Sequence, residues 1–473
     1  MEKPQKRGLY NFFVLFVLGA LPIVLHLLGM SFLTIFATAI IAIMICHCLQ
    51  DLSSNVFLLC FLLSFFVFLM SGDIVAELFG EYYHLRFSQE TTRHCWVAIV
   101  ISLIFLYIGY MSKRKVSQFK LKTIFSNFDV SKIRNASKWI YYVTFCVLLF
   151  NTLDKIQFVS RYGYIAYYLS YDPILPTVIA ELGDFAPISL CVFLATFPSK
   201  KEAMRPIVLY FIYACLLILV GARGGLIYNA VFLIGYMLYR NRHNSNSEVW
   251  ISRKTLILLC ASVPVVLVLL FLYGYVRVGA DIVYDSFGDT LIDFFVNIGS
   301  SSTVIKYGYE SRDLIETFKF YSLGDTLNYF KYGTLFNLFD LDSIPHRHSV
   351  QFALESHSFD TFLSYHYMRD RYLNGEGMGS SFIAILFADF GYIGVAIGSF
   401  LYGRLFKSMS YINNDGSWLC STIKLYFFML LIKAPRGAYD GFLSGIININ
   451  FWLLIFGIMF VSQYVKGRKN GLE

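Results

Sequence analysis

Long apolar runs separated by short polar connections recur along almost the whole chain, and their length decides what they are. A run of roughly 17 to 25 apolar residues crosses about 30 Å of hydrocarbon as a helix. The runs are Leu9 to Gly29, Phe32 to Leu49, Val56 to Ser71, Trp96 to Met111, Trp139 to Leu153, Ile174 to Phe197, Ile207 to Val220, Gly225 to Tyr239, Leu256 to Val276, Ser381 to Tyr402, Trp418 to Ile432 and Phe442 to Val465. They predict an all-α polytopic membrane protein with about twelve transmembrane helices. The first run follows Lys3, Lys6 and Arg7. Its apolar core is too long for a signal peptide and no small-residue cleavage site follows, so it reads as a retained helix.

One segment interrupts the pattern. Arg277 to Met378 mixes aromatics such as Tyr307, Tyr321 and Tyr329 with charges and four histidines, His346, His348, His357 and His366. It is longer than an ordinary connection, which marks it as functional. Its apolar residues suffice to cover a surface but not to build a separate core, so it is expected to fold as short helices against the membrane domain. The organisation is therefore nine membrane helices in 1–276, a large loop in 277–378, and three further helices with a tail in 379–473.

Composition agrees: 57% of the 473 residues are hydrophobic and only 15% charged, with mean hydropathy +0.59, far from a soluble globular chain. The formal charge of +8 is a topology signal. With the amino terminus inside, alternate connections collect Lys113 to Lys138, then Lys200, Lys201 and Arg205, then Arg240 to Lys254, then Arg404 and Lys407, then the tail. Those inner stretches hold about 23 basic residues against about 7 in the short outer ones. Both termini are thus expected in the cytoplasm and the large loop outside. The basic residues do not gather on one soluble face, which excludes a nucleic-acid partner. The nine cysteines lie in or beside helices, and neither a disulfide framework nor a zinc site is implied. Trp96, Trp139 and Trp418 are expected at helix ends, where an indole keeps its N–H wet. A cysteine placed at Asn337 in a cysteine-free background should react with an impermeant thiol reagent in cells whose inner membrane is intact; labelling only after lysis would invert the topology.

The candidate chemistry lies at the outward turns. In "LVGARGGLIYN", Arg223 stands among three glycines between two apolar runs. Glycines let a ligand approach the backbone, and the helix starting at Gly225 turns unpaired N–H groups outward. A guanidinium forks two donors toward phosphate oxygens, which suits a lipid-linked pyrophosphate at headgroup depth, although an arginine snorkelling to the interface also fits the position. "KAPRGAYDG" repeats the pattern with Arg436, "GYVRVGA" brings Arg277 to another outward helix end, and "SRYGYIAYY" adds Arg161. Glu181 and Asp184 in "AELGDF" are three apart on one face of a membrane helix, where carboxylates usually line a cavity. They are candidates to orient sugar hydroxyls or to pair with an arginine. "DLD", Asp340 to Asp342, is set aside as a chance match to nucleotide-sugar transferases, since their substrates are cytoplasmic.

In "GEGMGSSFIAILFADFGYIGVAIGSFLYG", glycines at 375, 377 and 379 permit a close irregular approach before a helix, and Asp389 sits near that helix's outer end. "GMGSSFIAILFADFGYIG", with the "GARGG" turn and the large loop between them, resembles the O-antigen and capsular polysaccharide polymerase family, architectural relatives of the O-antigen ligases. The resemblance implies an inverting glycosyl transfer, free of metal and cofactor, at the outer face of the bacterial cytoplasmic (inner) membrane. The growing chain leaves undecaprenyl pyrophosphate and joins a sugar hydroxyl of a new lipid-linked repeat, building lipopolysaccharide or capsule. It also implies the lipid bilayer, a flippase and a chain-length regulator as partners. Arg223 occupies the family's arginine turn, and Arg277 is a looser match to a further arginine.

The related ligases carry a histidine near the last glycine-rich motif, where Ser380 and Ser381 stand here. The hydroxyl proton still needs an acceptor, and histidine titrates in the useful range. His346 and His348 in "PHRHS", and His357 beside Glu355 in "ALESHSFD", are the candidates, each of which also fits a plain surface or packing role. An O-antigen ligase is the near alternative, and a flippase or other transporter of lipid-linked sugar the distant one. Transport predicts charges at several depths along the bundle seam, whereas here they concentrate at the outward face, Glu181 and Asp184 excepted.

Overall fold

A computed structural model describes residues 21–79, 87–112, 128–241, 249–278, 287–299, 301–315, 319–333, 345, 347–412 and 417–464. Every regular element among them is helical. Eight helices are long and apolar enough to cross a membrane, or nine if Gly441–Ile447 and Ile449–Tyr464, bent by 50°, count as one broken span. The protein is an all-α multi-pass membrane protein.

The expected count of twelve is not reached among the described residues, for identifiable reasons. The first run lies mostly in 1–20, outside the described residues. The run from Gly225 forms the 18-residue helix Arg223–Arg240, with arginine at both ends. The run from Leu256 forms Arg253–Val278, many of whose side chains are likewise outside the description. The last run breaks where Asn448 accepts the Asn450 N–H at 2.9 Å, capping a new helix.

Helix ends are set by polar caps rather than by the edges of apolar runs. Asp129 accepts from Ser131 N, so the run around Trp139 becomes the interior of the 33-residue helix Val130–Tyr162. Ser88 likewise starts Gln89–Met111 well before its apolar stretch. Trp96 therefore sits inside the helix, buried, with no partner for its indole N–H among the described residues, and not at a wet helix end.

The chain forms two compact units, each assembled from separated segments: 1–114, 283–410 and 431–441 in one, 115–282, 411–430 and 442–473 in the other. In the first unit, Gln89–Met111 packs along Phe382–Met409, with the Ser102 and Ser399 hydroxyls bonded at 2.8 Å. Leu52–Phe65 continues through the π-turn Phe66–Met70 into Ser71–Phe79. Several of the described residues after Arg277 lie in short helices. Phe287–Ile298 packs on Ser71–Phe79, and Ser301–Glu310 is buried against Gln89–Met111 and Phe382–Met409. Lys306 fastens it by donating to Asp73 Oδ1 at 2.7 Å, both side chains being almost wholly buried.

In the second unit, Ile188 and Val192 pack with Ile133, Phe451 and Leu454. Carbonyls left open around the end of Phe185–Ala195 are taken by side chains: Tyr236 Oη donates to Leu194 O, Arg134 to Thr196 O and Arg240 to Pro198 O. Arg134 and Arg240, which in the sequence served only to orient the chain, thus also close a helix end.

Candidate functional site

A cleft of about 340 Å³ in the first unit is lined by residues from stretches far apart in the chain, among them Asp325, Arg347, His357, Asp360, Gly379 and Arg436. Each wall has a local cause.

His357 lies in the link between Val350–Glu355 and Phe359–Tyr367. Its backbone N–H donates to Asn328 Oδ1 at 2.9 Å, and its Nδ1 faces Lys319 O at 2.5 Å. A carbonyl only accepts, so Nδ1 carries the proton, and in the neutral ring Nε2 holds the free lone pair.

The adjoining wall begins at the 3-10 turn Tyr321–Leu323, whose first N–H groups are held by Asp389: Tyr321 N to Oδ1 at 3.0 Å and Ser322 N to Oδ2 at 2.6 Å. The helix Gly324–Tyr332 follows, and Asp440, wholly buried, accepts the N–H groups of Asp325 at 3.2 Å and Thr326 at 2.8 Å. Gly324 lies so close to the His357 segment that a Cβ there would meet His357 O at 2.2 Å, so only glycine fits. That contact sets Asp325 in the cleft next to the His357 segment. Burial, then the charges of Asp440 and Asp360, push the Asp325 carboxyl up to about 6, against the pull of Arg347. Asp440 is also raised, by its burial, against the two N–H groups that it accepts.

Arg436 closes the turn Ala434–Arg436 at the end of the apolar stretch Trp418–Arg436. Its exposed guanidinium stands 5.8 Å over the Phe68 ring and beside Gly379. Gly379 has φ +80°, a left-handed conformation that a side chain would strain, and a Cβ there would sit 3.7 Å from Arg436 Nε. Among the described residues no carboxylate lies within ion-pair distance of Arg436, whereas Arg347 pairs with Asp360 at 3.6 Å. Nor, among those residues, do three histidine, cysteine or acidic side chains converge as a metal site.

Of the residues singled out in the sequence, His357, Gly379 and Arg436 share this cleft. Asp389 spends both oxygens on the turn at Tyr321. His348 does not line the cleft; its Nδ1 faces Tyr372 O at 2.9 Å. Arg161, Glu181 and Asp184 belong to the second unit. Arg161 is exposed in the last turn of Val130–Tyr162. Glu181 ends Thr177–Glu181 and Asp184 ends the 3-10 turn Leu182–Asp184, a tightening that keeps residues three apart on one face. Arg223 is the first residue of Arg223–Arg240 and Arg277 the penultimate one of Arg253–Val278, but their side chains lie outside the described residues, as do His346 and Asp340 to Asp342. The sequence reading missed Asp325, Arg347 and Asp360. The only local signals are the glycine before Asp325 at a helix start and the place of Arg347 between two histidines.

A protein-family model described as O-antigen polysaccharide polymerase Wzy matches residues 9–469, nearly the whole chain. No curated protein and no solved structure matches the chain.

Proposed function

The chain belongs to the O-antigen polysaccharide polymerase family, and from that premise we propose that it joins lipid-linked oligosaccharide repeats at the cleft of the first unit. The observation that carries this reading is the meeting of Arg436, which has no carboxylate partner among the described residues, and His357, a histidine with an oriented ring, where an apolar span ends. That depth suits a substrate whose lipid lies in the bilayer and whose sugar lies in water.

In this reading the cleft opens at the outer face of the cytoplasmic membrane, and the donor is a glycan on undecaprenyl pyrophosphate. Arg436 forks its donors onto the pyrophosphate oxygens. A hydroxyl of the acceptor sugar gives its proton to His357 Nε2, and the oxygen attacks the anomeric carbon. The bond from that carbon to the pyrophosphate oxygen breaks, its electron pair leaving with undecaprenyl pyrophosphate, and attack from the far side inverts the centre. No metal is required, because the leaving group is already a stabilised anion. By its sequence motif alone, Arg223 is a separate candidate for pyrophosphate binding. Arg223→Lys should keep some donor binding and lose most turnover, and Arg223→Ala should lose both, a fall on the order of ten- to a hundredfold. A normal polymer ladder from Arg223→Ala at matched protein level would reduce Arg223 to an interfacial anchor.

The direct test incubates purified protein with lipid-linked repeat unit and resolves the glycans on a gel. A ladder is expected. Unchanged glycan that has crossed the bilayer would replace polymerisation with transport, and transfer only onto a lipid A core would replace it with ligation.

A further inference from the structure

The two carboxyl groups at the start of Gly324–Tyr332 do different work. Asp440 gives both oxygens to the backbone N–H groups of Asp325 and Thr326. Asp325 lines the cleft instead, while Arg347, the cation that pulls on it, is paired with Asp360. Asp325 is exposed at the cleft and stands near two further carboxyl groups, Asp440 and Asp360. Like charges gathered at an open cleft favour a ligand that brings hydrogen-bond donors. An ionised carboxylate only accepts, so it takes hydroxyl groups and repels phosphate. Arg436, by contrast, attracts anions. The lining thus sets an anion-attracting group, Arg436, and a hydrogen-bond-accepting group, Asp325, in one cleft.

We propose that Asp325 is the acceptor-sugar contact of the cleft, accepting hydrogen bonds from hydroxyls of the terminal sugar of the incoming repeat and turning the attacking hydroxyl toward His357. This rests on reading the cleft as the transfer site. The role is one of binding and orientation, separate from proton removal by His357 and from anion binding by Arg436.

The experiment separates acceptor from donor. Lipid-linked polymer at saturation serves as donor, and the free repeat oligosaccharide with an aryl aglycone, which can accept but cannot donate, is varied. Asp325→Asn should raise the acceptor KM at least tenfold and lower kcat as well, because the attacking hydroxyl is then less well aimed, while donor KM changes less than threefold. Asp325→Glu, which keeps a carboxylate at a longer reach, should fall between the two. The wild-type acceptor KM should also rise as pH falls through about 6, where the carboxylate gains a proton and loses an accepting site. In Asp325→Asn that contribution should be missing; the other charged and titratable groups facing it, Asp360, Asp440, His357, Arg347 and Arg436, are common to both proteins, so whatever they cause appears in both profiles and the difference between the two reports Asp325. An unchanged acceptor KM in Asp325→Asn, or a loss confined to kcat, overturns the assignment. If Asp325→Asn does not accumulate, Asp325→Glu decides: a wild-type acceptor KM with a wild-type pH profile overturns it. Wild-type protein that forms neither a ladder nor aryl product defeats the transfer reading itself. Normal wild-type product with an indifferent Asp325→Asn defeats only this inference.

Discussion

His357→Ala will accumulate as membrane protein yet make no ladder, with turnover reduced by about 10²- to 10⁴-fold, the usual worth of a positioned general base. Two functions are lost together in that variant, so a second substitution separates them. The ring also tethers Lys319 O through Nδ1, and cutting the tether alone could loosen the wall that carries Tyr321. Asparagine places an amide N–H close to the position of Nδ1–H and carries no basic nitrogen where Nε2 stood. His357→Asn should therefore match the wild type in thermal unfolding and match His357→Ala in activity. Substantial turnover by His357→Asn would show that the tether matters and the lone pair does not, which would move proton removal to another group. His348→Ala should retain most activity, because that ring lies outside the cleft and faces Tyr372 O.

Arg436→Ala will lose donor binding and turnover while folding normally. The guanidinium is exposed and makes no ion pair among the described residues, so its removal leaves no buried partner stranded. A charge-assisted hydrogen bond contributes about 1.5 to 3 kcal/mol, and each 1.4 kcal/mol is tenfold, so one lost bond to pyrophosphate predicts a fall of roughly ten- to a hundredfold, and a forked pair more. Arg436→Lys keeps the charge without the fork, so donor KM should recover further than kcat. The measurement is initial rate against donor concentration at matched protein level. If Arg436→Ala keeps a wild-type donor KM and ladder, the anion sits elsewhere, with Arg223 the next arginine to examine.

How much of this was legible beforehand differs between the fold and the cleft. Run length alone found the helices Phe32–Gln50, Gln89–Met111 and Phe382–Met409 to within a few residues at most ends, because hydropathy reports each residue's own preference for lipid. It misplaced ends wherever a cap such as Ser88 or Asp129 carried the helix beyond its apolar run. For the cleft, the glycine-flanked pattern picked out Gly379 and Arg436, since positive φ and close approach leave a mark in the local sequence. The pattern around Asp325 left almost none. One aspartate among 31 acidic residues looks like any other until its neighbours in space are known.

The sequence by itself determined that the chain is an all-α membrane protein, it marked one long segment that interrupts the apolar pattern, and it supplied the arginines, histidines and carboxylates from which the proposed site is built. Tertiary structure decided which of them meet. His348 and His357 carry the same chemistry at nearly the same place in the chain. They part company because one ring faces Tyr372 O away from the cleft, while the other is held by Lys319 O at its edge. Asp325 and Asp440 are likewise equal as letters. Asp440 is spent on two backbone N–H groups and Asp325 lines the cleft. Hydrophobic pattern is a property of each residue and its near neighbours, so it survives reading along the chain. Charge state, hydrogen-bond partnership and access to a ligand depend on groups within a few ångströms that the chain brings in from far away, and only folding puts them there.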